Sequence, residues 1–84
     1  MPRFLDHHKS AGTPPPEMVR QVAALIKSGQ ADPATGVKGI NWFWNDKEQW
    51  CVAEAPNAQA VHKYHEAVGV KLGSGDVIEV HSAV

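Results

Sequence analysis

A lone cysteine, Cys51, excludes any disulfide within the chain and leaves that thiol as a small buried hydrophobe, a metal ligand or a reactive group. An excess of charge of either sign is also missing. Eight Lys and Arg against nine Asp and Glu give a formal charge of -1, and the basic residues are scattered, with no patch to track a phosphate backbone. Nucleic acid is therefore not expected as a partner. No apolar run approaches the roughly 20 residues that a membrane-spanning helix requires. The opening MPRFLD reaches an acidic residue before the apolar core of a signal peptide could form. No membrane partner is expected, and the expected compartment is the cytoplasm. No glycine-rich phosphate loop is present either; Gly69, Gly73 and Gly75 only punctuate a turn. Internal repeats and low-complexity stretches are absent, apart from the run Pro14, Pro15 and Pro16.

What remains is a globular composition, 43% hydrophobic with three tryptophans, in 84 residues. That length predicts one domain, residues 1–84, burying about 60 to 65% of the surface of its unfolded chain. Residues 3–8 (RFLDHH) read as a short strand closed by the turn formers of residues 9–12. Thr13 is placed to cap a first helix, with the three prolines in its first turn, where amides have no acceptor within the helix. Met18, Val22, Leu25 and Ile26 recur at helical spacing to about Ser28, and Gly29 is placed to end the helix.

Residues 37–44 alternate Ile40, Trp42 and Trp44 against Gly39, Asn41 and Phe43, and residues 48–54 form another short strand beyond a polar turn. An even-numbered turn sets Trp42 opposite Cys51 and Phe43 opposite Trp50, with aromatic groups on both faces of the hairpin. Which face carries Cys51 stays open at this level. Asn57 is placed to cap a second helix whose stripe is Ala58, Val61, His65 and Val68, ended by Gly69 or Gly73. Residues 76–82 (DVIEVHS) alternate as a fourth strand. The order βαββαβ predicts an α+β, ferredoxin-like fold, a four-stranded antiparallel sheet with both helices on one face. Its other face needs a cover, and a homodimer through the open sheet face is the expected one.

Four of the five histidines fall in two tight pairs, His7 with His8 and His62 with His65, and Cys51 and Glu54 lie between them in sequence. Imidazole, thiolate and carboxylate together suit a borderline divalent metal such as nickel, zinc or copper. Backbone geometry splits each histidine pair. Neighbours on a strand point to opposite faces, so only one of His7 and His8 belongs to a given site, and Asp6 shares the face of His8. His65 lies on the helix stripe, whereas His62 projects about 60° away around the axis. Glu54, three residues beyond Cys51, faces the other way unless a bulge intervenes near Pro56. A Cys51–His65 dyad is the one nucleophilic arrangement available, with no Asp or Asn evidently placed to orient the histidine.

The segments Phe4-Leu5-Asp6-His7-His8, Trp50-Cys51-Val52-Ala53-Glu54-Ala55-Pro56, residues 60–69 (AVHKYHEAVG) and Asp76-Val77-Ile78-Glu79-Val80 resemble a family of small bacterial proteins, long of unknown function, that includes nickel-binding, dimeric members with a ferredoxin-like fold. By position, His8, Cys51, Glu54 and His65 match that family's pattern. The resemblance implies a divalent metal ion, nickel ahead of zinc or copper. Members often carry a histidine and an acidic residue in the first helix, whereas residues 19–30 (VRQVAALIKSGQ) have neither. His7, His62, His81 or a second subunit are the available substitutes.

The leading expectation is a non-catalytic metal-binding protein for sequestration or sensing, with His8 and His65 giving nitrogens, Glu54 or Asp6 an oxygen, and Cys51 a thiolate or an apolar backing. Because such ligands bind deprotonated, binding should weaken below about pH 6. The alternative is a small dimeric α+β barrel enzyme or carrier that holds an apolar ligand between helices and sheet, lined by Trp42, Trp44 or Trp50. A third class, an interaction module without a small ligand, would leave the histidines dispersed in solvent.

Overall fold

In the computed structural model, which describes residues 1–83, the elements run β1 (Arg3–His8), α1 (Pro16–Ser28), β2 (Lys38–Trp44), β3 (Gln49–Glu54), α2 (Ala58–Ala67) and β4 (Val77–Val80). The strands form one antiparallel sheet in the order β2-β3-β1-β4, the ferredoxin-like arrangement that the alternating βαββαβ pattern predicts. Among the described residues, no helix is long and apolar enough to cross a membrane.

Register decides which side chains meet. Asp6 pairs with Cys51 across β1 and β3, and Trp42 pairs with Cys51 across β2 and β3, as an even turn requires. Because strand side chains alternate, Phe4, Asp6, His8, Cys51, Ala53 and Trp42 share one face. Both helices lie over that face, and Phe4, Ala53, Ala60, Val61 and Val77 make the core between sheet and α2. This places Cys51 on the covered face. The opposite face carries Leu5, Phe43, Trp50, Val52 and Ile78, and among the described residues no helix lies over it. Phe43 and Ile78 there are 50% and 52% exposed. A shift of register between Gly39 and Asn41 admits Ile40 as an extra residue near the edge of the sheet.

Two caps follow the sequence and one does not. Asn57 Oδ1 accepts from the Ala60 amide at 2.9 Å at the start of α2, and Gly29 ends α1 in the left-handed conformation at φ 71°. Thr13 does not cap α1. The helix begins three residues later, at Pro16, with Pro15 in the capping position, and Thr13 Oγ1 donates instead to the Asn45 carbonyl at 3.4 Å. Proline at the first helical position explains the shift, since its fixed φ suits the helix and its missing N–H leaves no donor to cap. The two helices also differ in how deeply they sit. α2 buries Ala60, Val61 and His65, with Val68 outside the helix and exposed, whereas α1 buries no residue.

Candidate metal centre

Strand alternation, sheet register and one helical turn bring Asp6, His8, Cys51 and His65 together, each offering a ligand atom within 4.8 Å of every other. β1 supplies Asp6 and His8 from the same face, β3 supplies Cys51 directly opposite Asp6, and α2 lowers His65 onto them from above. The centre is Asp6, whose side chain has no solvent exposure. Its Oδ1 accepts from His8 Nε2 at 2.6 Å and lies 3.4 Å from His65 Nε2. Its Oδ2 is buried with no hydrogen-bond partner among the described residues. A buried carboxylate oxygen left bare costs free energy, so it marks a place where a cation or a proton donor is wanted.

The orientation of His65 starts from the helix backbone. Its Nδ1 stands 2.8 Å from the carbonyl oxygen of Val61, one turn earlier, and because a carbonyl can only accept, Nδ1 carries the proton. Nε2 is then the atom turned to the cluster, as in metal-ligating histidines whose far nitrogen donates to the backbone. The Tyr64 ring meets His65 edge-on at 5.5 Å and the His8 ring lies 5.2 Å away, so the imidazole is held on three sides.

Electrostatics within the cluster separate a ligand thiol from a nucleophilic one. Burial opposes the charge of Asp6, but its hydrogen bonds to His65 and His8 and their positive charge outweigh burial, and the carboxyl lies below its ordinary range. Burial also opposes charge on His65, and the bond to Asp6 with its negative charge outweighs it, leaving the imidazole above its ordinary range. Cys51 is pushed well up, first by burial, then by the Asp6 charge beside it and by the hydrogen bond its thiol makes to that carboxylate. A nucleophilic cysteine needs the reverse. The nearest histidine contact of the sulfur is His8 Nε2 at 3.9 Å. Sequence reasoning saw no acid placed to orient His65; Asp6 stands there, yet its charge suppresses the thiolate that a dyad would use.

A divalent cation reverses those terms, because its charge favours the thiolate, the carboxylate and the neutral imidazoles together. Donors around a tetrahedral ion, at about 2.0 to 2.3 Å each, stand roughly 3.3 to 3.7 Å apart. The four ligand atoms, within 4.8 Å of one another, would draw together to enclose such an ion. The chemistry of the set, two nitrogens, one sulfur and one oxygen, suits a borderline metal.

Glu54, expected as an oxygen ligand, is not in the cluster. No bulge reverses β3 between Cys51 and Glu54, so Glu54 stays on the open face and pairs with Arg3 Nε at 3.4 Å. His7 lies on that face too, stacked on Trp50 at 5.2 Å and 7° and bonded to Glu48 at 3.1 Å. His62 remains half-buried outside the set and His81 is exposed. The Val61 carbonyl and Tyr64 had no signal in the sequence, since every helical residue offers a carbonyl and the contact depends on the rotamer of His65.

A cavity of about 390 Å³ opens from the cluster toward α1. Asp6, His8, Cys51 and His65 line it together with Met18, Val22, Leu25 and Ile26 of α1, the Trp42 ring, and polar residues that include Asp32 and Asn41. Trp42 is fixed there by donating from Nε1 to Gln49 Oε1 at 3.2 Å, and Gln49 in turn donates to the Gly12 carbonyl at 2.6 Å.

Neither a family model nor a curated protein matches the chain. Among solved structures it is similar to a crystal structure of a protein from Streptomyces coelicolor A3(2), at 20% identity and a TM-score of 0.70, over 98% of this chain and 99% of that one. At that identity the likeness speaks for the shared fold over its full length.

Proposed function

We propose that the chain binds one divalent transition-metal ion through Asp6, His8, Cys51 and His65, for sequestration or sensing and without turnover. The observation that carries this reading is the buried, unpartnered Oδ2 of Asp6 at the focus of three further donors. On the resemblance of its segments, nickel ranks ahead of zinc and copper. The ion would take the place of the protons that the two Nε2 atoms share with Asp6 Oδ1, and the site would release protons as it fills. A reducing compartment such as the cytoplasm keeps the single thiol available. Two copies would cover the open sheet faces of each other, hiding Phe43 and Ile78.

Calorimetric titration of untagged, metal-free protein with nickel, zinc and copper at neutral pH tests the site. One ion per chain is expected, with His65→Ala and Cys51→Ala each weakening affinity by more than about tenfold. No saturable heat with any of the three metals, or undiminished binding in both variants, would sink the reading.

A further inference from the structure

The four donors approach the centre from β1, β3 and α2, and none comes from α1. On that remaining side lies the 390 Å³ cavity, whose wall on α1 is Met18, Val22, Leu25 and Ile26. Nothing on this wall can ligate an ion except the Met18 thioether, a weak donor at a half-exposed position. An ion that takes five or six ligands, seated on these four donors, would keep a coordination position on the side of this cavity, whose lining is mostly apolar with Gln30, Asp32, Asn41 and Gln49 among its polar members. The volume falls within the range of small-molecule pockets, about 300 to 1,000 Å³, and the mix of apolar wall and a few convergent polar groups is typical of them.

Resting on the metal reading above, we propose that the ion is half of the recognition element: the site binds a small amphipathic molecule whose oxygen-donor head completes the coordination of the ion and whose apolar body lies under α1, against Val22, Ile26 and Trp42. The head needs the ion, because the charged oxygen it offers would otherwise meet the Asp6 carboxylate. The body needs the cavity. Selectivity then has two independent parts, one for the donor atom and one for the length of the apolar chain.

The probe is a series of straight-chain carboxylates, acetate, butanoate, hexanoate and octanoate, titrated into nickel-loaded and metal-free protein and followed by tryptophan fluorescence and calorimetry. In loaded protein the affinity should rise roughly fourfold for each added methylene that enters the cavity. Metal-free protein should bind octanoate at least tenfold more weakly. Ile26→Trp, which fills the cavity from α1, should abolish the dependence on chain length while leaving nickel affinity unchanged; Val22→Trp gives a second, independent filling should the first variant not fold. Nickel uptake with equal affinity for acetate and octanoate overturns this inference and leaves the metal reading standing. A chain-length dependence that persists in the filled variants, or an octanoate affinity that is the same with and without nickel, overturns it as well. Absence of uptake of nickel, zinc and copper alike overturns both together.

Discussion

On the proposed metal reading, Asp6 would carry opposite obligations without and with an ion, and its protonation chemistry makes them measurable. Without metal, its carboxylate is stabilised by His65 and His8, and His65 is stabilised in its charged form by Asp6. A carboxyl lowered on folding contributes stability above its unfolded value, about pH 3.9, and loses it as pH falls through the folded value. An imidazole raised on folding contributes stability below its unfolded value, about pH 6.5, and loses it as pH rises through the folded value. The metal-free protein should therefore be most resistant to urea between about pH 4 and 6.5, with a midpoint that declines on the alkaline side. His65→Ala should flatten that alkaline decline. Metal affinity should run the other way and rise across the same alkaline range, as imidazolium and thiol give up their protons. A metal-free midpoint that climbs from pH 6 to 8 would contradict the pairing of Asp6 with His65.

The two helices, alike in the sequence, are unequal as elements. Each shows an apolar stripe at helical spacing, but α2 drives Val61 fully into the core while α1 buries nothing and borders a cavity. Segments with few buried apolar contacts open locally at lower free energy than the core beneath them. Hydrogen exchange on the metal-free protein should show α1 amides exchanging faster than those of α2 and of the central strands β1 and β3, and equal protection of the two helices would contradict this. Periodicity could not separate them, because spacing reports which side chains share a face and not how closely that face approaches the sheet. The strands were more legible. Alternation placed Asp6 with His8 and away from His7, and the even turn set Trp42 opposite Cys51, leaving only the covered face of the hairpin to be learned. That face is set by the Asp6–Cys51 pairing of β1 with β3, a contact between segments far apart in the chain that local pattern does not encode. Glu54 entered the ligand set through the resemblance and the allowance for a bulge near Pro56; strand alternation alone turns it away from Cys51, and the unbroken strand keeps it there.

At the scale of the whole molecule, the sheet has one face occupied by helices and one bearing Leu5, Phe43, Trp50, Val52 and Ile78. Pairing of two such faces is the proposed remedy for this apolar surface. Sedimentation equilibrium should give twice the chain mass, and Phe43→Glu with Ile78→Glu should return the monomer without displacing the metal donors on the covered face. A monomeric wild-type protein at all accessible concentrations would overturn the pairing. The position of the donor cluster has its own consequence at this scale. Its members come from residues 6 to 65, spanning most of the chain, and they meet only once β1, β3 and α2 have assembled. An ion held there is bound by the folded chain and not by the unfolded one, so free metal at a hundred times its dissociation constant adds about 2.7 kcal/mol to stability. For a domain this small, that is a large part of the whole, and the supply of metal would then govern how long each copy of the protein survives.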